Sequence, residues 1–213
     1  MTDRVSGMDR RRGYFLVGAI LLTWGSLVTF AASTGFYNAV NPMAVGPMVV
    51  AGIIAPFVAY RRISMVRRAV DSIGLRAITA FHIWRIGAAV LFFWYGAHGL
   101  LPAVFARNAG WGDLIAGSLA LIVLLLPERR ALYAVFHLVG FADFIDAIGT
   151  ALFFTVQHDP RMAAIRVLPL ALIPLFGVGV SGASHLIAFD MLRRRVGLTR
   201  TDFAAAMAPA GAR

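Results

Sequence analysis

Eight ionisable side chains interrupt otherwise apolar stretches of this sequence: His82, Arg85, His98, Asp113, His137, Asp143, Asp146 and His185. Such groups are costly in an apolar environment, and chains keep them where they pair, ligate or move protons. Their types define the chemistry within reach. A carboxylate can exchange a proton or hold a cation, and an imidazole can relay a proton near neutral pH. A guanidinium keeps its charge and anchors an anion. Arg85, Asp113, His137, Asp143, Asp146 and His185 form the expected polar cluster. Arg85 is its electrostatic anchor, Asp113 and Asp143 its exchangeable carboxylates, and His185 a relay.

Other chemistries find less support. The chain contains neither Cys nor Lys, which excludes disulfides, thiolate metal sites and Schiff-base catalysis. His82 and His98 are 16 residues apart. At about 100° per residue they face opposite ways, which does not suit two stacked haems on one helix. His137 and His185 fall at similar depth on adjacent elements and are the one pair that could ligate a b-type haem. Asp143 and Asp146 project about 60° apart, near enough to share a cation with His137 or His185. No HExxH or other i, i+4 ligand pair accompanies them, so no metal site is predicted. His158, Asp159 and Arg161 flank Pro160 and read as a solvated turn.

Gly179, Ser181, Gly182 and His185 spell a string that resembles part of the intramembrane rhomboid proteases. In that family the serine and histidine come from different helices. Here they are four residues apart on one helix, where a hydroxyl bonding back along its own helix explains Ser181. No catalytic residue is assigned.

The elements that hold these residues follow from composition. Hydrophobic residues make up 60% of the 213, and charged residues 14%, where a soluble domain carries about 25%. A bilayer-spanning helix needs about 20 apolar residues, and six runs meet or approach that, at about 13–37, 43–60, 77–104, 110–127, 131–157 and 165–192. The prediction is an all-α polytopic bundle of six transmembrane helices. A basic segment (1–12) precedes it and a basic tail (193–213) follows. Sixteen arginines fall at the end that holds both termini and only three, Arg107, Arg161 and Arg166, at the other. The positive-inside rule therefore puts the N- and C-termini in the cytoplasm. The net charge of +10 is a membrane-topology signal, and no nucleic-acid partner is expected. Between Arg61 and Arg76 an amphipathic stretch reads either as a cytoplasmic loop or as an interfacial helix. Arg61, Arg62, Arg67 and Arg68 would there meet anionic inner-leaflet lipids.

Depths follow from a rise of about 1.5 Å per residue. Arg85, His185 and His137 fall roughly 10–13 Å from the arginine-rich edge, and the three aspartates roughly 20–24 Å from it. Arg85 and Asp143 lie within one side-chain length along the normal and are expected to pair between helices three and five. With Asp143 as the only partner, Asp143→Asn would cost more stability than Arg85→Gln. Three carboxylates against one guanidinium also leave excess negative charge, which requires a proton, water or a cation.

The stretch Asn108-Ala-Gly-Trp-Gly-Asp113-Leu-Ile-Ala-Gly117 resembles an Ala-Gly-x-Gly-Asp-x-x-x-Gly segment of uncharacterised bacterial six-helix membrane proteins. Gly140-Phe-Ala-Asp143-Phe-Ile-Asp-Ala147 resembles a Gly-x-x-Asp-x-x-x-Ala segment of the same group. Arg85 and His185 fit its pattern, and the resemblance covers about residues 77–192. Asn108 stands where the group often has Pro, and His137 where it often has Asn. The resemblance implies a multi-pass protein of the bacterial inner membrane, but no activity. The functional expectation is a protein whose polar core handles protons or a small polar solute. The alternatives are a structural or accessory subunit of a membrane complex, including a homo-oligomer, and a haem protein.

Overall fold

A computed structural model describes residues 2–198. The basic tail from 199 onward lies outside the described residues. Helices and the short turns and links between them account for these residues, and no strand occurs among them. The elements are α1 (Thr2–Ser33), α2 (Phe36–Ala39), α3 (Pro42–Arg62), α4 (Ser64–Phe81), a 3-10 turn (His82–Trp84) and α5 (Arg85–Ala97). They continue with α6 (Ala103–Leu125), α7 (Arg130–Val156), a 3-10 segment (Pro160–Arg166), a π-helical turn (Ile173–Val178) and α8 (Gly179–Arg194). Six helical stretches are long and apolar enough to cross a bilayer, and α4, the 3-10 turn and α5 act as one of them over Ser64–Ala97.

Several bounds differ from the sequence expectation. The stretch after Arg62 is helical from Ser64, so the loop alternative fails. Val66, Ala69, Val70 and Ile73 recur at helical spacing, and Ala69 and Ile73 are buried where α4 packs on α1. Gly74, at φ 84° and ψ 162°, then breaks the helix in a backbone region that is essentially glycine-only. The third span closes at Ala97 rather than 104, because Gly99 takes a positive φ and Pro102 begins the next helix. The fourth is longer than expected and takes in Arg107 and Asn108. The sixth starts at Ile173 rather than 165. Pro169 has no N–H to continue a helix, and Asp159 instead caps a 3-10 segment by accepting from the Arg161 amide at 3.0 Å.

The last helix is central: 67% of its apolar window is buried, against 6% for α1, which lies on the periphery. The most extensive packing joins α5 to α6, α6 to α7 and α3 to α8. One apolar core, around Val45, Phe92, Phe105 and Leu170, fills the arginine-poor end. A second, around Tyr60, Leu75, Tyr133 and Met191, fills the arginine-rich end. Large apolar side chains such as Phe15, Leu22, Phe30, Val90 and Leu138 remain exposed around the circumference.

An ionic knot closes the arginine-rich end. Arg194 on α8 donates to both oxygens of Asp71 at 2.8 and 3.0 Å and to Asp190 at 2.6 Å. It also donates to the hydroxyl of Tyr60, which in turn meets Asp190 at 2.9 Å. Arg61 donates to Asp190 as well. Two aspartates meet two arginines, so α3, α4 and α8 are joined without net charge. Sequence reasoning missed this group, because Asp71 follows Arg67 and Arg68 and Asp190 precedes Arg193–Arg195, so that each reads locally as one more charge in a basic segment.

Candidate functional site

Between the two apolar cores lies a polar layer. Arg85 is the largest fully buried side chain among the described residues, and His82, His137 and His185 are equally inaccessible. Mid-span, the chain changes from α4 through the 3-10 turn to α5. In a 3-10 turn residues i and i+3 eclipse, which aligns His82 with Arg85 toward the bundle axis. A second local departure, the π-helical turn before α8, brings Gly177 against Trp84: a Cβ there would stand 2.3 Å from the indole. The Trp84 Nε1–H donates to Ser181 Oγ at 3.1 Å. Ser181 and His185 thus have different partners, and the nucleophile–base hydrogen bond of a serine hydrolase is absent between them.

Arg85 serves two carboxylates. Its Nε–H donates to Asp113 Oδ1 on α6 at 2.6 Å, and its Nη2–H donates to Asp143 on α7. A third donor, Nη1, faces the Gly140 carbonyl at 3.4 Å. The Phe144 ring lies 4.2 Å from the guanidinium carbon, a cation–π contact in a dry setting. Two carboxylates against one guanidinium would carry a net charge of −1 with both ionised.

The glycines of the two motifs are explained by this group. A Cβ on Gly112 would fall 1.4 Å from Asp143 Oδ1, and one on Gly117 3.0 Å from the Ile86 backbone nitrogen. A Cβ on Gly140 would meet His185 Nε2 at 2.8 Å and Arg85 Nη1 at 3.3 Å. These positions let α5, α6, α7 and α8 close around the charged centre.

Toward the arginine-rich end sit the histidines. Nδ1 of His137 and Nδ1 of His185 are 2.8 Å apart. The His82 ring lies over that of His185 with centroids 4.2 Å apart. His82 Nε2 meets Ser184 Oγ at 2.8 Å, and Thr79 Oγ1 stands 3.4 Å from His137 Nε2. One ring nitrogen from each of the three lies within 4.8 Å of the others. With their nitrogens in contact, His137 and His185 leave no gap for a planar macrocycle, so the arrangement does not fit a haem held between them.

Of the six expected cluster residues, the structure brings together Arg85, Asp113 and Asp143, and beside them His137 and His185. Asp146 lies on the exposed face of α7, outside the hydrogen-bonded group. His82, one of the eight ionisable residues seen in the sequence but not in the expected cluster, joins it by way of the 3-10 turn. His98 sits at the arginine-poor end with its Nδ1 at 2.7 Å from the Trp94 carbonyl oxygen.

The carboxylates form the floor of a cavity of about 80 Å³ walled by Val49, Phe92, Phe105, Phe144 and Ile173. It shares Pro42, Val45, Thr155 and Ile165 with a wider vestibule of about 310 Å³ at the arginine-poor surface, where His158, Asp159 and Arg166 stand. Arg166 anchors the rim by donating to the Tyr37, Asn38 and Val40 carbonyls at 3.2–3.4 Å.

A family model described as a domain of unknown function, DUF8737, matches residues 42–193. No curated protein and no solved structure matches the chain.

Proposed function

We propose, for a chain that belongs to the DUF8737 family of unknown function, that the protein is a multi-pass membrane protein whose Arg85–Asp113–Asp143 centre exchanges protons with the side opposite its termini. One observation carries the reading: two carboxylates share one guanidinium at the floor of a cavity that leads to the arginine-poor surface. A net charge of −1 in an apolar interior is costly. The smallest neutralising partner is a proton, and the cavity has room for a few water molecules to deliver one. Its aromatic walls favour a proton over a bulkier solute. On the other side of the centre the three packed histidines are candidates for onward relay.

The arginine asymmetry supports termini in the cytoplasm and a place in the inner membrane of a bacterium. Exposed Arg62 and Arg68, with half-buried Arg67, then face anionic lipid headgroups. Arg61, although partly exposed, is committed to Asp190. In oriented proteoliposomes with a trapped pH dye, an imposed gradient should drive proton flux that Asp143→Asn removes. Equal flux in the two proteins, or none in either, refutes the reading.

A second reading, association with a further copy or another membrane subunit, is favoured by Asp146. An exposed carboxylate amid Ala142, Ile145 and Gly149 on the outer face of α7 has no use for lipid and every use for a polar neighbour on another chain. Cross-linking in native membranes through a cysteine at position 142 should trap a complex that Asp146→Leu weakens; monomer only, with or without Asp146, argues against it.

A further inference from the structure

Three fully buried imidazoles on three separate elements are more than hydrogen bonding alone requires. The Ser184 hydroxyl donates its one hydrogen to the Ser181 carbonyl at 2.8 Å. Its oxygen must therefore accept from His82 Nε2–H, at 2.8 Å. That fixes the His82 tautomer and leaves Nδ1 as a bare lone pair, with no hydrogen-bond partner among the described residues. His185 Nε2 is likewise unpartnered, while its Nδ1 faces that of His137. His82 Nδ1 is thus a buried acceptor without a donor, a cost that a cation would remove.

We propose that His82, His137 and His185 form a three-imidazole site for a first-row transition-metal ion of the class that prefers nitrogen, such as zinc or copper. Metal–imidazole bonds of about 2.0–2.1 Å imply nitrogens roughly 3.3 Å apart. The 2.8 Å pair and the spread within 4.8 Å bracket that value, so small ring rotations complete the geometry. Imidazoles without thiolate or a ligating carboxylate suit zinc, copper, nickel or iron and not calcium or magnesium. The hydroxyls of Ser184 and Thr79, which face the far nitrogens of His82 and His137, are the outer partners that orient metal-binding histidines. Ser184, the partner of His82, also lines an apolar groove of about 340 Å³ between α1, α3, α4 and α8.

The test uses full-length protein in mild detergent. Metal-free wild type is titrated with cobalt(II), zinc(II) or copper(I) alone. It should bind about one equivalent, melt at higher temperature when loaded, and give an X-ray absorption edge fitted by three nitrogens at about 2.0–2.1 Å. Ser184→Ala should weaken binding about 10–100-fold with Ser184→Thr restoring it, and His82→Asn should abolish the thermal shift. Asp143→Asn should still bind metal, which separates this site from the proton-exchange reading. Wild type that takes up no ion, or oxygen-only ligation, overturns the proposal, as does undiminished binding by His82→Asn.

Discussion

With Asp113 and Asp143 both on its guanidinium, Arg85 stands at the centre of the mid-depth charges, and the cost of each substitution depends on what remains. Asp143→Asn leaves a balanced Arg85–Asp113 pair and should lose about 1–3 kcal/mol. Arg85→Gln strands two carboxylates, and the Asp113→Asn/Asp143→Asn double variant strands a guanidinium; each should lose about 3–5 kcal/mol. Thermal melts in one detergent should therefore rank Arg85→Gln below Asp143→Asn. This reverses the order expected from sequence, where Arg85 had one partner. A lower melting temperature for Asp143→Asn than for Arg85→Gln contradicts the account. Depth counting along helices was enough to bring Arg85 to Asp143, because rise per residue is constant. Asp113 was placed at the right depth, but which helix faces which is set by packing that no local pattern encodes. The orphaned nitrogen of His82 was equally hidden, since tautomers are fixed by partners on another helix.

Six helices were readable as elements because apolar runs of spanning length are a strong signal. Their ends and breaks were less so. The change from α4 through a 3-10 turn to α5 carries no Pro or Gly within His82–Trp84 and leaves no mark in composition, yet it rotates His82 onto the face of Arg85. Gly74 is the visible break, and its φ of 84° and ψ of 162° predict that Gly74→Ala destabilises by about 1–3 kcal/mol. The close approach of α6 and α7 gives a sharper contrast. Gly112→Ala puts a Cβ 1.4 Å from the Asp143 carboxylate and should cost about 1–3 kcal/mol through overpacking and disturb Asp143. Gly149→Ala, with nothing within 4 Å of the new atom, should be neutral or stabilising by up to about 1 kcal/mol. Chemical-denaturation curves of the two variants in the same detergent decide the matter; equal losses would mean that α6 and α7 do not meet at Gly112.

Across the whole molecule, charge is arranged in zones: an ionic knot without net charge at the arginine-rich end, a centre of two carboxylates and one guanidinium at mid-depth, and an arginine-poor vestibule beyond it. Reporter fusions in the turns near residues 128 and 158 should report opposite sides of the membrane, with 128 on the side of both termini; the same side for both rules out the six-span arrangement. The belt of exposed apolar side chains and the arginine asymmetry were legible from composition. The cavity was not, because it is formed by residues from α3, α5, α6, α7 and the turn before α8. Its function rests on one claim, that the two carboxylates at its floor hold a single exchangeable proton between them. Infrared spectroscopy of the protein in lipid at neutral pH tests this most directly. The wild type should show a protonated-carboxyl band that shifts in D2O, and either Asp113→Asn or Asp143→Asn should abolish it, because each leaves one carboxylate matched by Arg85. A wild-type spectrum without that band, or a band that survives both substitutions, contradicts the account.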